Sequence, residues 1–165
     1  MTRALHSPWQ RHVPRIDLSH THWLTDSGSL TQKLKKHCQH FSVQRINQRS
    51  APLALAEIAQ MQRPRGRSVL QRQVLLICNG VPAVFAHTVT PIERVSRDWP
   101  FFNQLGNRAL GVALFSNPMI RRVSFEYTRL CAQDALYQTA QSALNEQGFD
   151  ISLPAHLWAR RCVFT

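Results

Sequence analysis

Acidic residues are scarce: nine Asp and Glu stand against 20 Lys and Arg in 165 residues, a formal net charge of +11. No two acids are closer than four residues, so a locally paired carboxylate site has no support in the sequence. Long apolar runs are absent. The longest clear one is Val74-Leu75-Leu76-Ile77-Cys78, far short of the ~20 residues of a membrane helix. Residues 1–20 carry Arg3, Arg11, Arg15 and two prolines with no apolar block, so they do not read as a secretory signal, and a cytoplasmic protein is expected. Cys38, Cys78, Cys131 and Cys162 form no CxxC pair, which excludes a zinc ribbon or a thioredoxin-type motif. In a reducing compartment the expectation is four free thiols. His37-Cys38-Gln39-His40 and His20-Thr21-His22 lack the second half that a metal site needs, so no metal is expected. Charged residues make up 18% of the chain and hydrophobic ones 44%, which is not a charge-rich disordered composition.

The positive charge is uneven. Residues 1–82 hold 12 Lys/Arg and 3 acids; residues 83–165 hold 8 and 6. A basic half suits nucleic acid, an acidic membrane surface or a small anionic substrate. The basic residues are not interleaved with aromatics in a nucleic-acid-binding pattern, so no nucleic-acid partner is expected. The length fits one domain over residues 1–165, with 1–21 a loosely ordered arm.

Residues 1–25 show no clear period. Asp26-Ser27-Gly28-Ser29 reads as a helix start, followed by Leu30, Leu34, His37 and Cys38 at helical spacing. Phe41–Ile46 reads as a strand and Pro52–Met61 as a short helix. Arg63-Pro64-Arg65-Gly66-Arg67 reads as a loop, either solvated or able to hold an anion. Ser68–Cys78, the turn Asn79-Gly80 and Val81–Thr90 predict a β-hairpin, with Pro82 suited to a ladder end. Arg97–Leu105 predicts a short helical turn, and Leu105–Gly111 a bend with two glycines. Ile120–Leu130 predicts a strand with Val123, Phe125 and Tyr127 on one face. Ala132–Gln147 predicts a helix with Ala132, Leu136, Ala140 and Leu144 inward, ended by Gly148. Leu157–Phe164 predicts a last strand, with Arg160 and Arg161 on opposite faces. A chain end directly after that strand reads as a sequence cut short. Strands in a meander with grouped helices predict an α+β fold with an antiparallel sheet.

Four pieces, in this order, resemble the chorismate pyruvate-lyase family. They are Asp26-Ser27-Gly28-Ser29-Leu30-Thr31, the hairpin Gln71–Pro82 running on to Ala86-His87-Thr88-Val89-Thr90-Pro91, Leu105-Gly106 with Ala109-Leu110-Gly111 and Leu114-Phe115, and Leu157-Trp158-Ala159-Arg160-Arg161. The resemblance extends from about residue 22 onward. It implies a single antiparallel sheet of about six strands, with helices on one side forming flaps over a buried pocket. It implies conversion of chorismate to 4-hydroxybenzoate and pyruvate in ubiquinone synthesis, without a cofactor, by a monomer. It implies that Arg72 holds the product carboxylate and that Leu30 and Leu110 line the pocket. The family carries a pocket glutamate on a further strand past the Arg-Arg strand. No motif here matches it, and neither Glu126 nor Glu146 takes the role on sequence alone, so the catalytic residue is left unassigned. His87 reads as a surface or packed histidine. Trp99, Phe101 and Phe102 read as lid or core aromatics.

A fork-shaped guanidinium suits the carboxylates of a small dianion. The alternatives are an inactive, truncated relative that still binds 4-hydroxybenzoate and a non-catalytic binding module for small aromatic acids.

Overall fold

The Asn79-Gly80 pair turns the chain as its composition predicts: both residues have positive φ, 51° and 81°. Around this turn β2 (Ser68–Cys78) pairs antiparallel with β3 (Val81–Pro91). The register shifts between Leu76 and Ile77, so Ile77 faces Pro82 and Leu76 faces Val84. Pro82, which has no N–H to give, is tolerated at this irregularity. The computed structural model describes residues 9–13, 15–54, 57, 58, 61 and 67–165. They fall into two compact units, Leu34–Ala113 in one and Met1–Lys33 with Leu114–Thr165 in the other. Most of the expected helix Pro52–Met61 and of the loop Arg63–Arg67 lies outside the described residues.

In the Leu34–Ala113 unit, β1 (Phe41–Pro52) is twice as long as the Phe41–Ile46 stretch that sequence marks. It pairs with β2 to complete a sheet ordered β1-β2-β3. Its polar residues gave no apolar alternation to read, and pairing with the apolar β2 holds it extended. One register shift sets the polar contacts across this pair. Between Arg45 and Asn47 the strand bulges, which puts Asn47 opposite Gln73 and Gln48 opposite Arg72. After β3 come α3 (Ile92–Asp98), a 3-10 helix (Pro100–Gln104) and the start of α4 (Leu110–Ser116). Val95, Phe102 and Leu105 form the core there, with Leu70, Trp99, Phe101, Leu110 and Ala113 packed on it. Trp99, Phe101 and Phe102 are therefore core aromatics.

Sequence reasoning expected four free thiols. The structure instead joins Cys38 to Cys78 in a disulfide, and only Cys131 and Cys162 are free. The β1–β2 register explains the pairing. Phe41 lies opposite Cys78, so the chain just before β1 brings the Cys38 Cα to 5.3 Å from that of Cys78, within bridging distance.

The other unit holds α1 (Leu18–Thr25) and the start of α2 (Leu30–His37), together with β4 (Glu126–Cys131), α5 (Ala135–Glu146) and β5 (His156–Arg161). Helix α1 falls where no period was seen. It buries only Leu24 and leaves Leu18 exposed, and Asp17 starts it by accepting the His20 N–H at 3.0 Å. Helix α2 begins at Ser29, whose Oγ accepts the Gln32 N–H at 3.3 Å. Thr31, Lys33 and Leu34 are its buried positions, while His37 is exposed. Strand β4 is shorter than expected, because residues 121–123 pair separately with 163–165. Helix α5 buries Tyr137, Ala140, Ala143 and Leu144, whereas of the expected inward residues Ala132 precedes the helix and is exposed and Leu136 is half-buried; the Tyr137 hydroxyl donates toward the Leu153 and Pro154 carbonyls. Gly148, at φ 76°, ends that helix, and the Phe149 N–H reaches back to the Leu144 carbonyl.

The fold is α+β with antiparallel pairing throughout, as expected. Among the described residues the strands form two sheets, β1-β2-β3 and β4-β5, rather than one of about six. β4 and β5 pair over six residues each, and Tyr127 of β4 also exchanges both backbone hydrogen bonds with Gln10. Among the described residues no helix is long and apolar enough to cross a membrane.

Candidate active site

Arg72 sits mid-strand in β2 and is only 2% exposed. A buried guanidinium is costly unless its donors are satisfied. Here one terminal nitrogen donates to Gln48 Oε1 at 2.8 Å, and the other donates to the Gly106 and Arg108 carbonyls, both at 2.9 Å. The β1 bulge puts Gln48 in place, and its own amide donates to the Phe102 carbonyl at 3.2 Å. Gly106, at φ 51°, lets the bend aim its carbonyls at the strand. All these partners are neutral. Among the described residues no carboxylate pairs with Arg72. Burial, and secondarily the Arg45 charge, hold its pKa below the ordinary arginine value. The result is a fixed, buried positive charge in neutral dipoles, a setting suited to a small carboxylate.

Leu110 opens α4 two residues after Arg108 and packs on the Val95, Phe102 and Leu105 core. Arg72 and Leu110 thus belong to one unit, and the bend that Arg72 grips leads into Leu110. Leu30 belongs to the other unit, as the first residue of α2, and is partly buried.

Gln73 follows Arg72 and so points to the opposite face of the sheet. There Asn47, Gln73 and His87 form a row across three strands. The Asn47 amide donates to Gln73 Oε1 at 2.5 Å, Gln73 Nε2 lies 3.2 Å from His87 Nδ1, and His87 Nε2 lies 2.7 Å from Glu57 Oε1. His87 is a packed, partnered histidine.

In the other unit Arg160 and Arg161 take opposite faces, as alternation requires. Arg161 Nε donates to Glu126 at 2.8 Å and its guanidinium lies over Trp9. Arg160 directs one nitrogen at the Trp23, Leu24 and Asp26 carbonyls, at 3.3, 3.0 and 2.8 Å. Sequence reasoning missed Gln48, the two bend carbonyls and the acceptors of Arg160. The two glycines around Leu105–Gly111 were the one available signal for the bend.

A sequence model of the chorismate lyase family matches residues 5–165. A protein named probable chorismate pyruvate-lyase from Cupriavidus metallidurans is 40% identical over 166 residues, covering 98% of this chain and 75% of that protein. One of the same name from Nitrosomonas eutropha is 37% identical, covering 86% and 76%. Another, from Aromatoleum aromaticum, is 40% identical, covering 92% and 80%. With the matched model running over nearly its whole length, the chain belongs to the chorismate lyase family.

Proposed function

We propose that this chain is a chorismate pyruvate-lyase, making 4-hydroxybenzoate and pyruvate in ubiquinone biosynthesis, as a monomer in the cytoplasm. The observation that carries this is Arg72, buried on β2 with neutral partners and no acid. In the reaction the ether C–O bond to the enolpyruvyl group breaks and the neighbouring ring carbon gives up its proton. The ring becomes aromatic, and the released enol tautomerises to pyruvate. Atoms balance without a redox partner or an organic cofactor. The protein's part is to enclose, orient and accept a proton. Arg72 is the residue for the ring carboxylate, and Leu30 and Leu110 are walls against the ring.

The proton acceptor is left unassigned. Glu126 is engaged by Arg161 and Glu57 by His87. Those engagements favour the second reading, a family member that binds 4-hydroxybenzoate without turning chorismate over. One experiment separates the two. Purified protein is incubated with chorismate, and both products are quantified beside Arg72→Lys. Equimolar products, lost in the variant, support the lyase. Binding of 4-hydroxybenzoate without turnover supports the second reading. Neither turnover nor binding overturns both.

A further inference from the structure

Three cations converge on one short stretch of backbone in the unit built from residues 1–33 and 114–165. Lys33 Nζ donates to the His22 carbonyl at 2.6 Å and meets Asp26 Oδ2 at 2.9 Å. Arg160 takes the carbonyls of Trp23, Leu24 and Asp26. Arg122 donates to the Ser27 carbonyl. Five of the six carbonyls from His22 to Ser27 are held in this way. Four belong to or directly follow the last turn of α1, where carbonyls lack intrahelical partners and the helix dipole favours cations. The Arg122 and Arg160 guanidinium groups both lie on Phe125, 4.4 and 4.6 Å from its centroid, and Lys33 lies over Trp23 at 4.8 Å. Lys33 is 8% exposed.

The clamped stretch runs straight into Gly28, Ser29 and Leu30. Asp26 extends the hold by accepting the Gly28 N–H at 2.7 Å, and Ser29 then opens α2. Leu30, the residue after Ser29, is the first of α2. We infer that Arg160 is a positioning residue: with Arg122 and Lys33 it fixes the α1–α2 connection and thereby the start of α2 at Leu30. The importance of Leu30 rests on the function proposed above; the clamp itself does not.

One nitrogen of Arg160 faces three carbonyls, and a lysine ammonium has three donors for them. Methionine keeps the apolar stem and has none. Amide hydrogen exchange of residues 24–31 is measured in the wild type, Arg160→Lys and Arg160→Met, alongside KM and kcat for chorismate. Exchange in this segment rises in the methionine variant and stays near the wild-type level in the lysine variant. Loss of a wall that touches substrate and transition state alike raises KM in the methionine variant by roughly tenfold while kcat changes less, and lysine restores most of it. If Arg160→Met does not fold, Arg122→Met supplies the same comparison with a smaller rise. Unchanged exchange in the methionine variant overturns the inference, as does equal loss in both variants. If the wild type does not turn chorismate over, the proposed function fails, and the exchange data alone decide the clamp.

Discussion

Among the described residues each unit holds one strand arginine that grips backbone carbonyls, and the two differ in what surrounds the charge. Arg160 grips the end of α1 and stacks on Phe125; Cys162 and, more weakly, Asp26 favour its charged form, while Arg122 opposes it. Arg72 grips the Gly106–Arg108 bend, and its charged neighbour is Arg45, which opposes its charge. Burial lowers the pKa of both guanidinium groups, and it is the leading cause for each. The difference lies in the charged neighbours: Arg160 has groups that favour and a group that opposes its charge, and Arg72 has only one that opposes. Arg160 is placed where carbonyls at a helix end answer its charge, while the nearby Asp26 carboxylate pairs with Lys33. Arg72 is left with neutral dipoles alone, and its proposed carboxylate role rests on that.

The comparison breaks first at Arg72. On the proposed function Arg72 gives the ring carboxylate two charge-assisted hydrogen bonds, each worth about 1.5–3 kcal/mol, so Arg72→Met is expected to weaken 4-hydroxybenzoate binding by at least 100-fold. Binding within threefold of wild type would remove Arg72 from the site.

Next is the Cys38–Cys78 bridge, in the same unit. For residues 40 apart, the loop-entropy relation gives about 3–4 kcal/mol, so reduction is expected to lower Tm by roughly 10 °C. Thiol titration of the denatured, unreduced protein should find two free cysteines, and titration after reduction four. Four before reduction would remove the bridge.

The stability difference between the two arginines is smaller. Arg160→Met leaves α1 carbonyls unpaired and is expected to cost about 2–3 kcal/mol. Arg72→Met also frees carbonyls but removes a buried charge that no acid answers, so its net cost is expected to be about 1 kcal/mol. Denaturant midpoints for both variants check this. A larger loss at Arg72 would make it the structural residue of the two.

The smallest effects are in pH. The Asp26 carboxyl is held below its ordinary 3.8, chiefly by its bond with Lys33 and then by the Gly28 N–H. Its contribution is present above that value and is lost as pH falls through the lower, folded value. Acid unfolding of Asp26→Asn should therefore start from lower stability and lack this dependence. Burial raises the Cys162 thiol above its ordinary 9.0. Alkylation at pH 8 should accordingly be slower at Cys162 in the folded protein than in the unfolded chain.

What the sequence made legible followed the same division. The β2–β3 hairpin was readable because Asn79-Gly80 has a turn chemistry and β2 an apolar run. Gly148 announced the end of α5. Arg72 was readable only through the family resemblance, since between Gln71 and Gln73 it reads as one more polar strand position. Its partners were not, since a bulge between Arg45 and Asn47 has no sequence signature and two acceptors are backbone carbonyls. Helix α1 was missed because it buries only Leu24 and so has no apolar period, although Asp17 three residues before His20 was a usable cap signal. The disulfide was missed because separation along the chain hides a strand register. The five carbonyls that Arg160, Arg122 and Lys33 hold are likewise invisible until the chain is folded.

The central claim is that Arg72 holds a ligand carboxylate while Arg160 holds the fold. Its most direct test is calorimetric titration of 4-hydroxybenzoate into the wild type, Arg72→Met and Arg160→Lys, each first shown to be folded. The account predicts binding to the wild type, comparable binding to Arg160→Lys, and none detectable to Arg72→Met. Equal binding to the wild type and Arg72→Met would contradict it.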